Sequence, residues 1–344
     1  MDIDSALREQ VERATGKPAH GFPVKKLKGD ASNRSYYRVG APPDSHVLMV
    51  MPVGPVKSEE VTRGEAPKEL PFVNVHRYLA KLGVRVPRIL RYDEPAGVMV
   101  LEDLSDLTFE QALEGGKHQE ALYGRAVDLL ASLRAAAEAA PDAACVAFGR
   151  SFDEELFDWE LHHFREWGLE AWSGQQPSPA ERAELDLLFR GISRRLASEP
   201  KGFTHRDYQS RNLMVKDGEL VVIDFQDALL GPRQYDLVAL LRDSYVELDR
   251  AFVDRMLDRY LAAFTAAGGP RLDACEFKNL FDLLTVQRKL KDAGRFEYIH
   301  RVKGNPGFLP SIPSSLRYVK DALGRRPELA SLHEIVARYV PELA

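Results

Sequence analysis

Apolar positions along the first hundred residues change period several times. SYYRV at 35–39 and HVLMVMP at 46–52 are β-branched or apolar runs around the turn signal GAPPD, which predicts two strands. PFVNVHRYLAKLG at 71–83 has apolar residues at helical spacing, proline at its start and Gly83 at its end. PRILRYDEPAGVMVLED then reads as two strands joined by a turn at DEPAG. The expected order is strand, strand, helix, strand, strand.

After Asp103 the texture becomes helical. Residues 107–140 are rich in alanine and leucine, and 152–172 and 180–198 read as two further helices. A short strand pair is expected at 213–215 and 220–224 around the turn KDGE. Helices resume at 235–248, 250–267 and 274–293, followed by the proline-punctuated loop KGNPGFLPSIP and two more helices. The expectation is an α+β chain: an N-terminal mixed sheet lobe over 1–103 and a mainly helical lobe over 104–344. The hinge is expected near LEDLSD, 101–106.

Composition changes this picture little. The chain has 344 residues, 44% hydrophobic and 29% charged, with a formal net charge of −5. That balance is ordinary for a soluble globular protein and weakens any electrostatic case for nucleic acid. Two cysteines are too few for a disulfide framework and suit a reducing compartment. No basic region followed by an apolar run opens the chain, and no apolar stretch approaches a membrane span. The expectation is a cytoplasmic protein with no nucleic-acid, membrane or obligate protein partner.

The chemistry concentrates in His205-Arg206-Asp207-Tyr208-Gln209-Ser210-Arg211-Asn212, followed twelve residues after Asn212 by Asp224 in VVIDFQDA. Asp207 on a loop can accept the proton of an attacking hydroxyl. Asn212 can offer its amide oxygen to a cation, and the strand pair returns the chain so that Asp224 ends beside the same loop. Two hard oxygen ligands completed by phosphates suit Mg²⁺. Base, hydroxyl and metal-bridged phosphates are what phosphoryl transfer from ATP requires. An H-R-D loop with Asn five after the Asp, and a later D-F dipeptide, also form the protein-kinase signature. The competing reading is a capping Asp, a turn Asn and a solvated strand-end Asp that happen to coincide in order. Elsewhere His162 and His163 are adjacent and form no H-E-x-x-H pair; a helix surface is expected for both.

On these motifs the chain resembles the aminoglycoside-phosphotransferase superfamily of protein-kinase-like small-molecule kinases. It departs from protein kinases in having Gln209 where they carry a Lys two residues after the catalytic Asp, Gln226 for the Gly of D-F-G, and no A-P-E segment. The runs GDASNRSYYRV, LEDLSD, HRDYQSRNLM and IDFQDALLGPRQYDLVALLRDSY are similar to the anomeric kinases of cell-wall sugar recycling, as is TVQRKLKDAGRFEYIHRVKGNPGFL. Those enzymes phosphorylate the C1 hydroxyl of N-acetylmuramate and N-acetylglucosamine.

The resemblance implies a two-lobed protein-kinase-like fold with ATP and Mg²⁺ in the cleft between lobes. Gly29, Ala31, Ser32 and Arg34 fall where the phosphate-covering loop belongs, and the backbone of Glu102, Asp103 and Leu104 where adenine sits. The Glu102 and Asp103 side chains are expected to be solvated or capping. The strand cation and helix Glu usual in kinases are both missing; Met49 or Met51, and Phe72, stand at those positions, which leaves the phosphate charge to magnesium, Arg34 or Lys57. Asp236 resembles the Asp that braces the catalytic loop, and His205 is expected as a packed loop residue. Arg242 and Asp243 could pair locally or line the pocket, and local pairing is the expectation.

Tyr208, Gln209 and Arg211 neighbour the acceptor by sequence. Tyr208 has core packing as its alternative, and Arg211 a structural or solvated role. Residues 287–303 are net positive and expected to form mostly a solvated helix face; bordering a pocket, they would disfavour a polycationic aminoglycoside and favour a neutral or carboxylate sugar. Arg288 and Arg301 are the candidate contacts. Two other functions compete: a kinase for an aminoglycoside, choline or another sugar, and a nucleotide-binding pseudokinase module.

Overall fold

The computed structural model describes residues 3–27, 34–52, 69–114, 116 and 118–344. The order of elements is α1 (Ile3–Thr15), β1 (Val24–Lys26), β2 (Ser35–Val39), β3 (His46–Val50), α2 (Pro71–Lys81), β4 (Ile89–Asp93) and β5 (Val98–Glu102). There follow α3 (Phe109–Ala112), α4 (Gln119–Ala139), α5 (Glu154–His163), α6 (Pro179–Ala197), β6 (Lys201–Thr204), β7 (Leu213–Lys216), β8 (Glu219–Val222) and β9 (Leu229–Pro232). Five helices complete the chain: α7 (Tyr235–Leu241), α8 (Arg250–Ala266), α9 (Ala274–Lys303), α10 (Ile312–Gly324) and α11 (Ala330–Tyr339).

Two compact units divide these elements, and both are discontinuous in sequence. The first takes residues 1–68, 85–107 and 214–223; the second takes 69–84, 108–213 and 224–344. In the first, five strands form one sheet in the order β1-β2-β3-β5-β4, with every described pairing antiparallel. Successive side chains of a strand face opposite sides. Leu48 and Val50 therefore join Val39, Val98 and Val100 against Leu7 and Val11 of α1, spaced four apart on one helical stripe. Met49 pairs across the sheet with Met99 and is fully buried. The hairpin β7-β8 belongs to the same unit: Leu104, Met214 and Val221 form a small core, and Val222 donates to the Arg85 carbonyl at 2.9 Å.

Glu102 and Asp103 are 7% exposed each, so of the expected solvated or capping roles the first fails, while Asp103 does accept the Ser105 N–H at 2.9 Å. The reason is a surplus of partners. Glu102 pairs with Arg85 at 2.5 Å, Arg88 at 3.3 Å and Lys216 at 3.2 Å. Asp103 accepts from Arg38 at 2.7 Å and from the Ser45 hydroxyl at 2.6 Å. Burial pushes the Glu102 carboxyl up, but its hydrogen bonds to Arg85, the Arg88 backbone and Lys216 outweigh this and hold it at about 2.

In the second unit, β6 and β9 pair antiparallel, and the buried Arg134 of α4 donates to the Gly231 carbonyl at 3.1 Å and the Phe203 carbonyl at 3.3 Å. This fixes the strand that leads into the His205–Asn212 loop. Helix α5 continues into a π-helix over Phe164–Ala171. There Gly168 lies under the Phe164 ring, and a Cβ on Gly294 of α9 would meet the Phe164 Cα at 2.8 Å. The two backbones approach this closely because position 294 carries no side chain. His163 lies within this packing, 9% exposed and edge-on to Tyr298, so the surface placement expected for it is corrected.

The sequence predicts α2, β2 to β5 and α8 near their observed positions. Helix α7 ends at Leu241 rather than 248, whereas α9 runs on to Lys303. Helix α1 and strands β1, β6 and β9 are additions.

Two stability outcomes follow. The Glu102 carboxyl titrates below its ordinary value of 4.5, so its contribution is full above that pH and lost as pH falls through about 2. Glu102→Gln is expected to cost about 2 kcal/mol at pH 7. Urea unfolding at stepped pH should show the gap from the native protein narrowing below pH 4.5; a constant gap would remove the charge from the argument. Gly294→Ala is expected to destabilise by about 1–3 kcal/mol because its neighbour is backbone. Gly191→Ala, at an exposed position of α6 with nothing within 4 Å of the new Cβ, should instead be neutral or stabilising by up to ~1 kcal/mol when both glycine variants are compared by urea unfolding.

Candidate active site

Strand β6 ends at Thr204, and the chain turns through His205 and Arg206 into Asp207. Arg206 sits at φ 81°, a left-handed conformation that costs an arginine of order 1–3 kcal/mol. What holds it is a buried carboxylate: Asp236 of α7 accepts the His205 N–H at 2.7 Å and the Arg206 N–H at 2.9 Å. Burial raises the Asp236 carboxyl, partly offset by His205 and Arg288. His205 is fully buried, its Nδ1 accepts the Asp207 N–H at 3.3 Å, and its ring meets Tyr208 edge-on. A second carboxylate closes the other end of the loop. Asp243 accepts the Ser210 N–H at 2.7 Å and the Tyr245 N–H at 3.1 Å.

Within this frame the Asn212 side chain links the Asp207 backbone to the Asp224 carboxylate. The Asn212 amide nitrogen donates to the Asp207 carbonyl at 2.9 Å and lies 3.4 Å from Asp224 Oδ2. With its nitrogen engaged there, the amide offers its oxygen as the remaining acceptor. Asp224 is exposed, at φ 62°, and its other oxygen accepts from Gln226 at 2.8 Å. Gln226 also reaches Asp227 at 3.2 Å. An amide oxygen and an exposed carboxylate are a hard donor set, which fits Mg²⁺ and not a soft metal.

Asp207 is only partly exposed, and its carboxylate faces a cation. Arg288 of α9 reaches Asp207 Oδ1 at 3.1 Å and the Arg206 carbonyl at 2.7 Å. Burial pushes the Asp207 carboxyl up; Arg288, Lys291, Arg206 and His205 together outweigh that and hold it below its ordinary value. The side chain is therefore an ionised carboxylate at neutral pH, the state a proton acceptor needs.

Other residues singled out in the sequence lie as follows. Tyr208 is fully buried and donates to the Ala126 carbonyl at 2.9 Å, which makes it a core residue. Gln209 is half-buried, its backbone N–H on the Asp207 carbonyl and its carbonyl accepting from Asn212. Arg211 pairs with Glu110 at 2.8 Å and stacks 3.5 Å over the Tyr245 ring. Arg301 pairs with Glu297 and donates to the Ala171 carbonyl at 2.8 Å. Arg34 precedes β2; Gly29, Ala31, Ser32 and Lys57 fall outside the described residues. Phe72 is buried in α2, its ring 4.9 Å from that of Phe225.

Two expectations are corrected. Residues 287–303 are not mainly a solvated face: Gln287, Arg288, Lys289, Lys291, Asp292 and Glu297 are all buried. Their charges close on each other, with Lys289 at 2.7 Å and Lys291 at 3.2 Å from Asp292, so the segment's net charge does not discriminate between acceptors. Arg242 and Asp243 do not serve one another. Arg242 turns to Asp321 at 3.3 Å and the Tyr318 ring, while Asp243 braces the loop. Sequence reasoning missed the Asp243 brace and the Arg288 contact. A signal for the latter existed: the apolar stripe Phe277, Phe281, Leu284 continues at helical spacing onto Arg288.

Over most of its length the chain is similar to known kinases. The phosphotransferase enzyme family matches residues 23–275. An N-acetylmuramate/N-acetylglucosamine kinase of Pseudomonas aeruginosa is 36% identical, covering 97% of this chain and 94% of the relative. One of the same name from Neisseria meningitidis is 32% identical over 94% and 92%. The fold is shared with choline kinase LicA from Streptococcus pneumoniae, at TM-score 0.61, 13% identity and coverage of 94% and 99%. It is shared also with ADP-bound aminoglycoside phosphotransferase APH(2'')-Ib, at TM-score 0.57, 13% identity and 92% and 98%. By its matched residues and its relatives, this chain belongs to the phosphotransferase enzyme family and is a kinase acting on an alcohol group.

Proposed function

We propose that this kinase transfers the γ-phosphoryl group of ATP to the anomeric hydroxyl of an amino sugar, N-acetylmuramate or N-acetylglucosamine, in cytoplasmic recycling of cell-wall sugars. The observation that carries the transfer chemistry is Asn212. This one side chain touches the Asp207 carbonyl and approaches Asp224, so the candidate base and both candidate cation ligands form one unit. The names of the relatives and the cell-wall-kinase character of the motif runs support the sugar.

In this reading Asp207 accepts the proton of the sugar C1 hydroxyl as its oxygen attacks the γ-phosphorus. A P–O bond forms to the sugar, the bond to the ADP oxygen breaks, and the sugar 1-phosphate and ADP leave. An anomeric hydroxyl is more acidic than other sugar hydroxyls, so a carboxylate is an adequate base for it. Asn212 and Asp224 would hold magnesium, which supplies positive charge against the phosphates. Arg34 would add charge to the phosphates, with Gly29, Ala31 and Ser32 covering them and the Glu102–Leu104 backbone meeting the adenine. The Glu102 and Asp103 side chains, taken up by Arg85 and Arg38, fix that backbone.

Two experiments decide. ³¹P and ¹H NMR of the product from ATP with each amino sugar should show a phosphate coupled to the anomeric proton. Robust phosphorylation of kanamycin or choline, with none of the N-acetylated sugars, would replace the acceptor assignment. Asp207→Asn should keep ATP–magnesium binding by calorimetry and lose at least ~10²-fold in kcat. Unchanged turnover removes Asp207 from the chemistry.

A further inference from the structure

The loop from Asp207 to Asn212 holds a single cation, Arg211, and that side chain is committed to Glu110 and the Tyr245 ring. Arg206, just before it, sends its guanidinium to 3.9 Å from Glu160. The cation that touches the Asp207 carboxylate comes from 81 residues further on. Arg288 is 2% exposed, and burying a guanidinium is costly unless its donors meet acceptors. It spends one nitrogen on the Arg206 carbonyl at 2.7 Å and another on Asp207 Oδ1 at 3.1 Å, and lies 4.8 Å above the Tyr235 ring. Tyr235 is the neighbour of Asp236, the carboxylate that fixes the N–H groups of His205 and Arg206.

The backbone that presents Asp207 is thus gripped on its N–H side by Asp236 and on its carbonyl side by Arg288. A carboxylate on a loop has two free side-chain torsions. A rigid planar fork that reaches both its oxygen and the preceding carbonyl removes that freedom. The same helix supports the far end of the loop: Lys289 Nζ donates to Ser244 Oγ at 2.5 Å, next to the Asp243 that caps Ser210.

We propose that Arg288 is a positioning residue for phosphoryl transfer, delivering from α9 the cation that aims the Asp207 carboxylate at the incoming hydroxyl. Position 209, two residues after Asp207, holds Gln and leaves that task to the helix. The role rests on the assignment of Asp207 as the proton acceptor. It predicts that Arg288 matters to turnover only through Asp207 and contributes little to holding either substrate.

A double-mutant cycle on the full chain tests this, comparing native protein, Arg288→Gln, Asp207→Asn and the double variant. Sugar 1-phosphate formation is followed by a radiolabelled product assay, with thermal midpoints and calorimetric ATP–magnesium affinity measured alongside. Arg288→Gln is expected to lower kcat by ~10²-fold with KM for ATP and sugar within ~3-fold of native. In the Asp207→Asn background the same change should alter residual kcat by less than ~3-fold. Equal losses in both backgrounds, or native kcat in folded Arg288→Gln, overturn the proposal. If Arg288→Gln does not fold, Arg288→Lys takes its place, since an ammonium keeps the charge but cannot reproduce the planar fork. It should then lose at least ~10-fold with Asp207 present and under ~3-fold in the Asp207→Asn background; equal losses again overturn the role. Native turnover is the separate control. Its failure on every amino sugar defeats the acceptor assignment alone, and the cycle then runs on whichever alcohol a wider panel identifies.

Discussion

A charge taken out of water must find an opposite charge or a set of dipoles, or it will not stay charged. Helix α9 puts this constraint at the centre of the helical unit. It buries Arg288, Lys289, Lys291 and Asp292 within five positions, and each must be answered. Lys289 and Lys291 answer Asp292; Arg288 is answered by Asp207 and a carbonyl on the loop that carries it. The helix therefore cannot shift along its axis without stranding a buried ion. Such networks are weak sources of net stability, but they discriminate strongly against misplaced alternatives. Here what they define is the placement of the loop bearing Asp207.

The loop is held in the same currency from two other directions. Asp236 and Asp243 are both buried, both raised by that burial, and both spend their oxygens on backbone N–H groups of the loop or its flank. Two strained residues, Arg206 and Asp224, bracket the segment in left-handed conformations. Strain of that kind persists only where surrounding contacts over-determine the backbone. The carboxylate braces, the Asn212 amide and the Arg288 fork supply that excess of constraints.

Much of this was legible in the sequence because it is local. The spacing of Asp207, Asn212 and Asp224 encodes a loop, a hairpin and a return, and local chain geometry converts that spacing into proximity. Strands β2 to β5 and helix α2 were readable for the same reason: their apolar periods are strong and their ends carry turn residues. What escaped is non-local. Strands β6 and β9 are four residues each and gain their identity from one another across a separation no window spans. The run from Gln287 to Lys303 is polar enough to suggest water, yet partners distant in sequence, such as Glu160 for Gln287, let it be buried. Glu102 and Asp103 deceived in the same way, since Arg85, Lys216 and Arg38 reach them from other elements.

The interleaving of the two compact units bears on how the chain is built. Helix α2 belongs with the helical unit although it is made early, and the hairpin β7-β8 belongs with the sheet although it is made late. During synthesis the sheet's core around Leu104 waits for Met214 and Val221, more than a hundred residues downstream. The face of the sheet against α1 is drawn entirely from residues before 101 and can close early, whereas the cluster around Leu104 stays open until the hairpin has been made.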